Sequence, residues 1–385
     1  MLDYYQISEL FNAEELQIQA SVRDYVSNNV MPNISDWWNE GVLPSNLITD
    51  FGDAGLLGAN LSSGYGMSGI SNVGYGLVMY ELEKADSGLR SFVSVQGALV
   101  MYPILTYGSA EQRDYYLPKM ARGELIGCFG LTEPDGGSDP GAMNTVASPD
   151  GDHYVLNGIK MWITNGTMAH VALIWARDEN NDVKGFLVDT DTKGFSANPV
   201  QRKLSLRVSD TAEIVLDNVR VHKSCMLPGV TGLKGPLSCL TQARYGIAWG
   251  ALGSLEAVYS EALEFAKTRV TFGEAIASRQ LVQVKLAEML SNHTKGLLLA
   301  WRLGVLKDIG RITFSQVSLA KRDNVRAALE GARNSRQILA ASGITLDYQT
   351  IRHMLNLETV DTYEGTFDIH SLILGRDITG FNSLA

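Results

Sequence analysis

Three long helical patterns follow one another in the C-terminal part of the chain, and they constrain the fold more than any other feature. Each approaches or exceeds 20 residues, and they span Tyr245–Thr268, Gln280–Asp308 and Phe314–Ala341. In the second pattern, side chains of one helix face recur at intervals of four and three residues: Val282, Leu286, Met289, His293 and Leu297. Helices of this length bury one face best against each other, so residues 236–385 are predicted to form an antiparallel bundle.

The middle of the chain, residues 126–235, has a different texture. Short apolar runs alternate there with turn residues, and Gly, Asp, Asn and Thr become common. Asn157-Gly158 lies between two such runs and predicts a type I′ hairpin with strands His153–Leu156 and Ile159–Ile163. Further runs are interpreted as strands, the first two as a second hairpin: Val171–Ala176, Lys184–Val188, Glu213–Leu216 and Val219–Val221. We therefore predict a small antiparallel β domain.

Residues 1–125 are predicted to be mainly helical. Asn12 followed by Glu15 is the pattern of a helix cap, ahead of a helix that runs to Pro32. A second helix is predicted over Tyr75–Lys84, and after a break a third begins near Arg90. The predicted fold class is α+β and mainly helical, with an N-terminal helical domain (1–125), a central β domain (126–235) and a C-terminal helical bundle (236–385).

Composition argues against several functional classes. The net charge of −10 and the lack of a long basic run argue against a nucleic-acid binder. The three cysteines, Cys128, Cys225 and Cys239, show no CxxC pairing, and the histidines lack metal-ligand spacing, so buried thiols in a reducing compartment and no metal site are expected. Without a run of about 18 apolar residues or a targeting pattern, we expect a soluble, cytoplasmic protein without membrane insertion.

A loop at the start of the β region has the composition of a ligand cradle. Cys128–Pro140 combines three glycines and two prolines with the hydroxyls of Thr132 and Ser138. Glycine lets backbone N–H groups approach a ligand closely, although an ordinary turn has the same composition. Further along, Trp162 and Thr164 offer a flat face and a hydrogen bond to a planar heterocycle. The alternative is a tryptophan buried in a β core.

The segment Tyr363-Glu364-Gly365-Thr366 places a carboxylate beside a glycine. It lies in what we predict to be a helix-poor loop between Leu355 and Leu372. Partial burial would raise the pKa of Glu364 toward the roughly 6–7 that suits a general base. The alternative is a solvated glutamate in a connection.

Arg90 is predicted to lie in the first turn of its helix, where the helix dipole disfavours a cation by about 0.3–1 kcal/mol. An anionic ligand would offset that cost, and the planar guanidinium suits a carboxylate. The alternative is a surface salt bridge with Glu83 or Asp86.

Another candidate binding group lies at a helix junction. Arg269, Phe272 and Gln280 combine a cation, an aromatic ring and an amide close to the start of a long helix. Such a set could hold a diphosphate, but it equally describes an exposed helix end.

Taken in order along the chain, four segments resemble the acyl-CoA dehydrogenase family: LTEPDGGSDP, KMWITNG, RVTFG and YEGT. The resemblance covers about residues 10–380. It implies the family fold, in which an N-terminal helical domain and a central β domain precede a C-terminal four-helix bundle, usually in a homotetramer. It also implies an enzyme with an acyl-CoA substrate, FAD as cofactor and an electron-transfer flavoprotein as electron acceptor.

The resemblance implies roles for individual residues. Glu364 matches the catalytic base, which removes a proton next to the thioester while hydride leaves the β-carbon for the flavin. Ser138 and Arg244 are expected to face the acyl-CoA arm and nucleotide. Positions that match FAD contacts of the family, some across a subunit boundary, are Phe129, Leu131, Thr132, Trp162, Thr164, Arg269, Phe272, Gln280, Gln337, Thr366 and Asp368.

Within the family, the chain is most similar to the glutaryl-CoA dehydrogenases, through RSFVSVQGALVMYPI, KLSLRVSD, ARYGIAWGALG and IRHMLNLETVDTYEGTFDIH. This resemblance implies that Arg90 binds the distal carboxylate of a dicarboxylyl-CoA, with Glu83 and Ser94 as its neighbours. Tyr363, which precedes the base, matches the decarboxylating type. The implied reaction is oxidation of glutaryl-CoA to crotonyl-CoA and CO2.

One segment departs from the family pattern. After Gln337 the family has a Gly-Gly pair that binds FAD through its backbone, whereas this chain has Ala340-Ala341. Two Cβ atoms at a place of close approach are expected to weaken FAD binding or shift its diphosphate. This departure, together with Ala85 near the pocket, keeps two alternatives open. One is a relative acting on another dicarboxylic thioester, bound to CoA or to a carrier protein, with or without decarboxylation; the other is a flavin-free scaffold.

Overall fold

A helical region, a sheet and a second helical region follow one another along the chain, which confirms the predicted fold class. The structure, a computed structural model, describes residues 2–61 and 64–382. The helices before the sheet are α1 Ala13–Tyr25, α2 Ile34–Glu40, α3 Ser45–Asp53, α4 Asn72–Ala85, α5 Ser87–Ser94, α6 Tyr102–Tyr107 and α7 Ala110–Ala121.

The predicted cap of the first helix is confirmed. The Asn12 side chain accepts from the Glu15 N–H at 2.9 Å, and the Glu15 carboxylate accepts from the Asn12 N–H at 2.9 Å. This reciprocal capping box satisfies two backbone donors that the helix itself leaves unpaired. A π-helical turn, Val26–Val30, then continues α1 almost to Pro32.

The helix that carries Arg90 begins earlier than predicted. Asp86 caps α5 by accepting at 2.7 Å from the backbone N–H two residues ahead, so the helix starts at Ser87. A π-helical stretch, Val95–Met101, joins α5 to α6 and gives one helix over Ser87–Tyr107. That helix is long and apolar enough to cross a membrane, but 89% of its apolar window is buried inside the protein, as in a core helix.

The strands between the helical regions are β1 Gly127–Gly130, β2 Val146–Asp150, β3 His153–Thr164, β4 Val171–Arg177, β5 Val183–Asp189, β6 Phe195–Pro199 and β7 Thr211–His222. They form a sheet in the order β1-β4-β2-β3-β7-β6, with β5 paired to β4. The predicted β4–β5 hairpin is confirmed. In addition, β1 and β2 run parallel to β4, a pairing between sequence-distant strands that no local turn residue signals.

The predicted hairpin around Asn157-Gly158 is wrong. A single strand, β3, runs through this dipeptide and pairs with β7 on both sides of it, with a register shift at the glycine. A Cβ on Gly158 would lie 2.8 Å from the Cα of Thr145. The glycine therefore allows a close backbone approach within a bulged strand, which is the other use that sheets make of this residue.

The C-terminal region consists of α8 Lys234–Thr268, the short strands β8 Val270–Thr271 and β9 Glu274–Ala275, α9 Gln280–Asp308, α10 Phe314–Leu339, α11 Thr350–Thr362 and α12 Phe367–Thr379. The predicted bundle is confirmed, because α8 packs against α9, α10 and α11. α8 also packs along α4, so one continuous core joins the two helical regions.

The prediction of a helix-poor loop over residues 355–372 is wrong. α11 and α12 occupy most of this segment and leave only Tyr363–Thr366 as a connection. Two polar side chains of α11, Arg352 and Asn356, face inward. Arg352 and Asn356 both donate to the carboxylate of Asp86 at 2.8 Å, a contact between residues more than 260 positions apart that local periodicity cannot reveal.

The contact between α4 and α8 depends on Gly253, because a Cβ there would overlap the carbonyl oxygen of Tyr80. We expect Gly253→Ala to destabilise the protein by about 1–3 kcal/mol through overpacking. The measurement is the thermal midpoint of the flavin-loaded protein. Gly375→Ala in α12 is the control, because the space around Gly375 is open and alanine improves helix propensity. Equal midpoints for the two variants would contradict this packing argument.

Candidate active site

A cavity of about 1210 Å³ lies between the sheet and the C-terminal helices. Predicted site residues from distant parts of the chain line it together: Phe129, Leu131, Thr132, Ser138, Trp162, Thr164, Arg244, Tyr363, Glu364 and Thr366. The helix that begins at Ser87 adds Ser91, Val95 and Leu99, which we call the α5 wall. The cavity is thus apolar on several sides and carries a carboxylate at the α11–α12 connection.

One side of the cavity offers a flat apolar surface. Phe129 lies in β1 and Leu131 directly follows it, and these side chains are 8% and 5% exposed, so the ring and the methyl groups are packed in place. The side chain of Trp162 is 59% exposed. Its backbone has a φ of 63°, a left-handed conformation that few non-glycine residues adopt. A large exposed indole at such a position fits a planar ligand that would cover it.

The loop beneath that surface is fixed by a buried ion pair. Lys160 donates to the Glu133 carboxylate at 2.8 Å and to the Leu131 carbonyl at 3.1 Å. The same carboxylate accepts from Thr145, through its backbone N–H at 2.9 Å and its hydroxyl at 2.6 Å. Burial lowers the pKa of Lys160 to about 8, against the opposing effect of Glu133. These contacts fix the backbone on both sides of Thr132 and so hold this residue at the cavity.

The connection between α11 and α12 presents Glu364 to the cavity. Its φ of 52° is left-handed, and Thr366 caps α12 directly after it by accepting from the Ile369 N–H at 3.2 Å. The Oε2 atom of Glu364 is buried and has no hydrogen-bond partner in the described part of the chain. Burial raises the pKa of Glu364 above that of an ordinary carboxyl, against the opposing charges of Arg90, Arg244 and Lys321. Such a carboxylate suits proton abstraction.

Arg90 lies behind the α5 wall rather than on the protein surface. It is 1% exposed, and its Nε lies 2.5 Å from Oε2 of Glu83, which is itself fully buried. Its Nη2 donates to the Tyr363 hydroxyl, and Tyr363 lines the cavity. Ser94, one turn further along, has a buried hydroxyl without a partner in the described residues. The alternative of a surface salt bridge is therefore wrong: the pair with Glu83 exists, but it is buried.

Two hydrogen-bonding roles in the site were not predicted. Lys321 of α10 is 1% exposed and donates to the carbonyls of Tyr363 at 3.1 Å and Gly365 at 2.7 Å. Arg244, expected to face the substrate arm, also donates from Nε to the Glu364 carbonyl at 2.6 Å. The role of Lys321 had one signal in the sequence: this lysine follows Val317 by four residues and therefore lies on the apolar face of α10.

The remaining predicted FAD contacts lie outside the cavity lining. Arg269 directly precedes β8, Phe272 lies in the turn of the β8–β9 hairpin, and Gln280 begins α9. All three side chains are exposed, and Phe272 is 98% exposed. Gln337 and Asp368 are exposed on other surfaces. Their binding of FAD, across a subunit boundary for the hairpin residues, stays a prediction.

Family models match nearly the whole chain: the N-terminal, middle and C-terminal domains of acyl-CoA dehydrogenase match residues 12–124, 128–219 and 231–379. The chain belongs to the acyl-CoA dehydrogenase family. It is therefore an oxidoreductase that acts on the CH–CH group of an acyl-CoA, and its cofactor is FAD. The hypothesis of a flavin-free scaffold does not hold.

Solved structures and curated relatives cover this dehydrogenase almost completely. A glutaryl-CoA dehydrogenase from Mycobacterium smegmatis is 50% identical, with a TM-score of 0.97 over 99% of this chain and 98% of that one. A second M. smegmatis glutaryl-CoA dehydrogenase structure, in complex with FADH2, is 48% identical. Its TM-score is 0.98, and the match covers 100% of this chain and 99% of that one. The human mitochondrial short-chain specific acyl-CoA dehydrogenase is 32% identical over 96% of this chain and 91% of its own length.

The residues of the cavity fit FAD. The apolar surface of Phe129, Leu131 and Trp162 suits the flat face of the isoalloxazine ring. The hydroxyls of Thr132 and Thr164 line the same cavity and suit the polar edge of that ring. No such fit is available for a metal, because no group of His, Cys, Asp and Glu in residues 2–61 and 64–382 could hold one.

The departure from the family pattern at Ala340 carries backbone strain. Ala340 follows α10 with φ 51° and ψ −125°, a combination that glycine adopts easily and alanine does not. Ala341, next to it, lacks the positive φ. The chain therefore keeps the backbone shape that a glycine would favour, with a methyl group added on an exposed surface.

We expect Ala340→Gly to raise the free energy of unfolding by about 1 kcal/mol, because relief of strain outweighs the extra backbone entropy of the unfolded chain. Ala341→Gly is the matched control and is expected to lower it. Thermal midpoints with and without FAD measure both effects. A midpoint for Ala340→Gly at or below that of Ala341→Gly would contradict the strain argument.

Proposed function

We propose that this acyl-CoA dehydrogenase oxidises glutaryl-CoA and releases CO2 to give crotonyl-CoA. The observation that carries the proposal is the buried Arg90 behind the α5 wall, which donates a hydrogen bond to Tyr363, the residue before the catalytic carboxylate. A dehydrogenase for simple fatty acyl chains has no use for a cation at that depth. The likeness to glutaryl-CoA dehydrogenases at about half identity supports the same substrate.

The free donors of Arg90 favour a carboxylate ligand. Its Nε donates to Glu83 and its Nη2 to Tyr363, while its Nη1 donates no hydrogen bond to any described residue. A substrate carboxylate at the end of an apolar chain needs such donors, because an unpaired buried charge costs several kcal/mol. Glu83 balances the arginine before substrate binds, and the buried hydroxyl of Ser94, which has no partner in the described part of the chain, supplies a further donor one turn along the helix.

Proton abstraction falls to Glu364. FAD, when bound, supplies the hydride acceptor. The Glu364 carboxylate, desolvated in the cavity, takes the proton from the carbon next to the thioester. The backbone N–H of Glu364 donates to no described residue, so it is free to hold the thioester oxygen as negative charge develops there.

Decarboxylation follows from the electronics of the oxidised chain. After oxidation, the distal carboxylate is vinylogous to the thioester, so the electrons of the breaking C–C bond move toward the thioester carbonyl as CO2 leaves. The protonated Glu364 then returns its proton to the dienolate and gives crotonyl-CoA. The hydrogen bond from Arg90 to the Tyr363 hydroxyl fixes the position of the base relative to the arginine that binds the distal carboxylate, because Tyr363 directly precedes Glu364.

Assembly, electron acceptor and location complete the proposal. We propose a homotetramer, supported by apolar side chains that one chain leaves uncovered along β8 and the start of α9: Val270, Phe272, Leu281 and Val284. We further propose that an electron-transfer flavoprotein removes the electrons and that the enzyme works in the cytoplasm.

The reaction is tested by mixing the flavin-loaded protein anaerobically with glutaryl-CoA, following the flavin absorbance, and identifying the thioester product by mass. We expect bleaching, crotonyl-CoA and CO2. Bleaching with glutaconyl-CoA as the final product would contradict decarboxylation. No bleaching with a folded, yellow protein would contradict glutaryl-CoA as substrate and favour another dicarboxylic thioester, bound to CoA or to a carrier protein.

The role of Arg90 is tested by charge removal. Arg90→Met alone leaves Glu83 charged and unpaired, so the matched variant is the double substitution Glu83→Gln with Arg90→Met. For the double variant we expect kcat/KM for glutaryl-CoA to fall about 100-fold relative to that for butyryl-CoA, the size of a lost charge-assisted hydrogen bond. Equal losses for both substrates would remove Arg90 from carboxylate recognition.

A further inference from the structure

Three consecutive backbone carbonyls around the catalytic carboxylate accept hydrogen bonds from buried cations. Lys321 takes the first and the third, at Tyr363 and Gly365, with distances of 3.1 and 2.7 Å from its Nζ. Arg244 takes the second, at Glu364, with 2.6 Å from its Nε. The two cations come from α10 and α8, so helices on different sides of the connection hold the same tripeptide.

The backbone conformation explains how one ammonium reaches both outer carbonyls. Glu364 has a φ of 52° and Gly365 a φ of 96°, so two successive residues are left-handed. For a glutamate this conformation costs free energy and persists only when the surroundings enforce it. The bridge from Lys321 closes only while the connection keeps this turn, so forming the bridge stabilises the strained backbone.

Lys321 is not placed as an ordinary structural lysine. It is 1% exposed and lies on the apolar face of α10, whereas a lysine on such a helix usually extends its ammonium to water. Among the described residues no carboxylate forms a salt bridge with it, and its hydrogen-bond acceptors there are the two carbonyls. The connection therefore compensates the buried charge, and the charge holds the connection.

We infer that Lys321 is a positioning residue for the catalytic base: its ammonium bridges the carbonyls on either side of Glu364 and holds this residue in the left-handed turn. In that turn the Glu364 carboxylate faces the cavity and its N–H stays free for the thioester oxygen. The inference rests on the proposed role of Glu364 as the base. It does not depend on the acyl chain or on decarboxylation.

The charge of Lys321 also acts on the base. It lowers the pKa of Glu364, while burial raises it. Burial lowers the pKa of Lys321 itself to about 7, against the opposing charge of Glu364. The charged and titratable groups that face these two residues from the neighbouring helices and the connection are Tyr75, Arg90, Arg244, Asp361, Tyr363 and His370. Removing the ammonium leaves the two arginines and is expected to raise the pKa of Glu364.

The test compares Lys321→Met with Lys307→Met. Lys307 of α9 is the control, because it is a half-buried lysine that donates to Gln242 at 2.6 Å and makes no hydrogen bond with the Tyr363–Thr366 connection. Both flavin-loaded variants are mixed anaerobically with an acyl-CoA that bleaches the unmodified enzyme. The rate of flavin reduction at saturating substrate, the substrate Kd, the FAD content and the pH profile of the rate are measured.

For Lys321→Met we expect the reduction rate to fall about 100-fold, the effect of a misplaced catalytic group, with unchanged FAD content and substrate Kd. We also expect the acid limb of the pH profile to move to higher pH. Lys307→Met should leave the rate and the limb unchanged. A normal rate and limb in Lys321→Met, or equal changes in both variants, would overturn the inference.

Two further variants keep the outcomes distinct. Lys321→Gln retains N–H donors without the charge, so it should recover part of the reduction rate while the acid limb of the pH profile stays shifted. If Lys321→Met does not fold, Lys321→Gln takes its place in the comparison with Lys307→Met. No recovery and no shift would count against the bridge. Glu364→Gln tests the base itself. Full-rate reduction in Glu364→Gln would refute the base assignment, whereas a dead Glu364→Gln with a normal Lys321→Met would refute only the role of Lys321.

Discussion

The charges buried around the cavity constrain the rest of the structure, because burial deprives them of solvation. A charge buried without a partner costs several kcal/mol, so each needs compensating protein groups at hydrogen-bond distance. Glu83 compensates Arg90, and backbone carbonyls compensate Lys321. Among the described residues, Oε2 of Glu364 has no hydrogen-bond partner, and this marks its carboxylate as the candidate reactive group.

α8 sets the geometry on which these compensations depend. A Cβ on Gly250 would overlap Oε2 of Glu83, so this glycine makes room for the pair with Arg90. Two turns earlier, Arg244 on the same helix holds the carbonyl of Glu364. One helix therefore contacts both the Arg90–Glu83 pair and the connection that carries Glu364, and the distance between these two sites is set by a rigid element rather than by a loop.

Sequence periodicity predicted the long helices well because each buries one face along its whole length, and the Asn12–Glu15 cap was predicted because it is a local contact. It failed at Gly158 and over residues 355–372, where tertiary contacts with Thr145 and Asp86 decide the structure. The motifs located the walls of the cavity and Glu364. They did not reveal the bridge from Lys321, because it joins residues 42 and 44 positions apart through backbone atoms that carry no sequence signal.

We propose that Arg90 binds the distal carboxylate of glutaryl-CoA while the substrate α-carbon lies against Glu364. A crystal structure of flavin-loaded Glu364→Gln with glutaryl-CoA tests it most directly, because the substrate is trapped before proton removal. We expect a carboxylate oxygen within about 3 Å of the Arg90 guanidinium, with the Glu83 pair intact. A distal carboxylate directed away from Arg90, with the arginine still bound only to Glu83 and Tyr363, would contradict it.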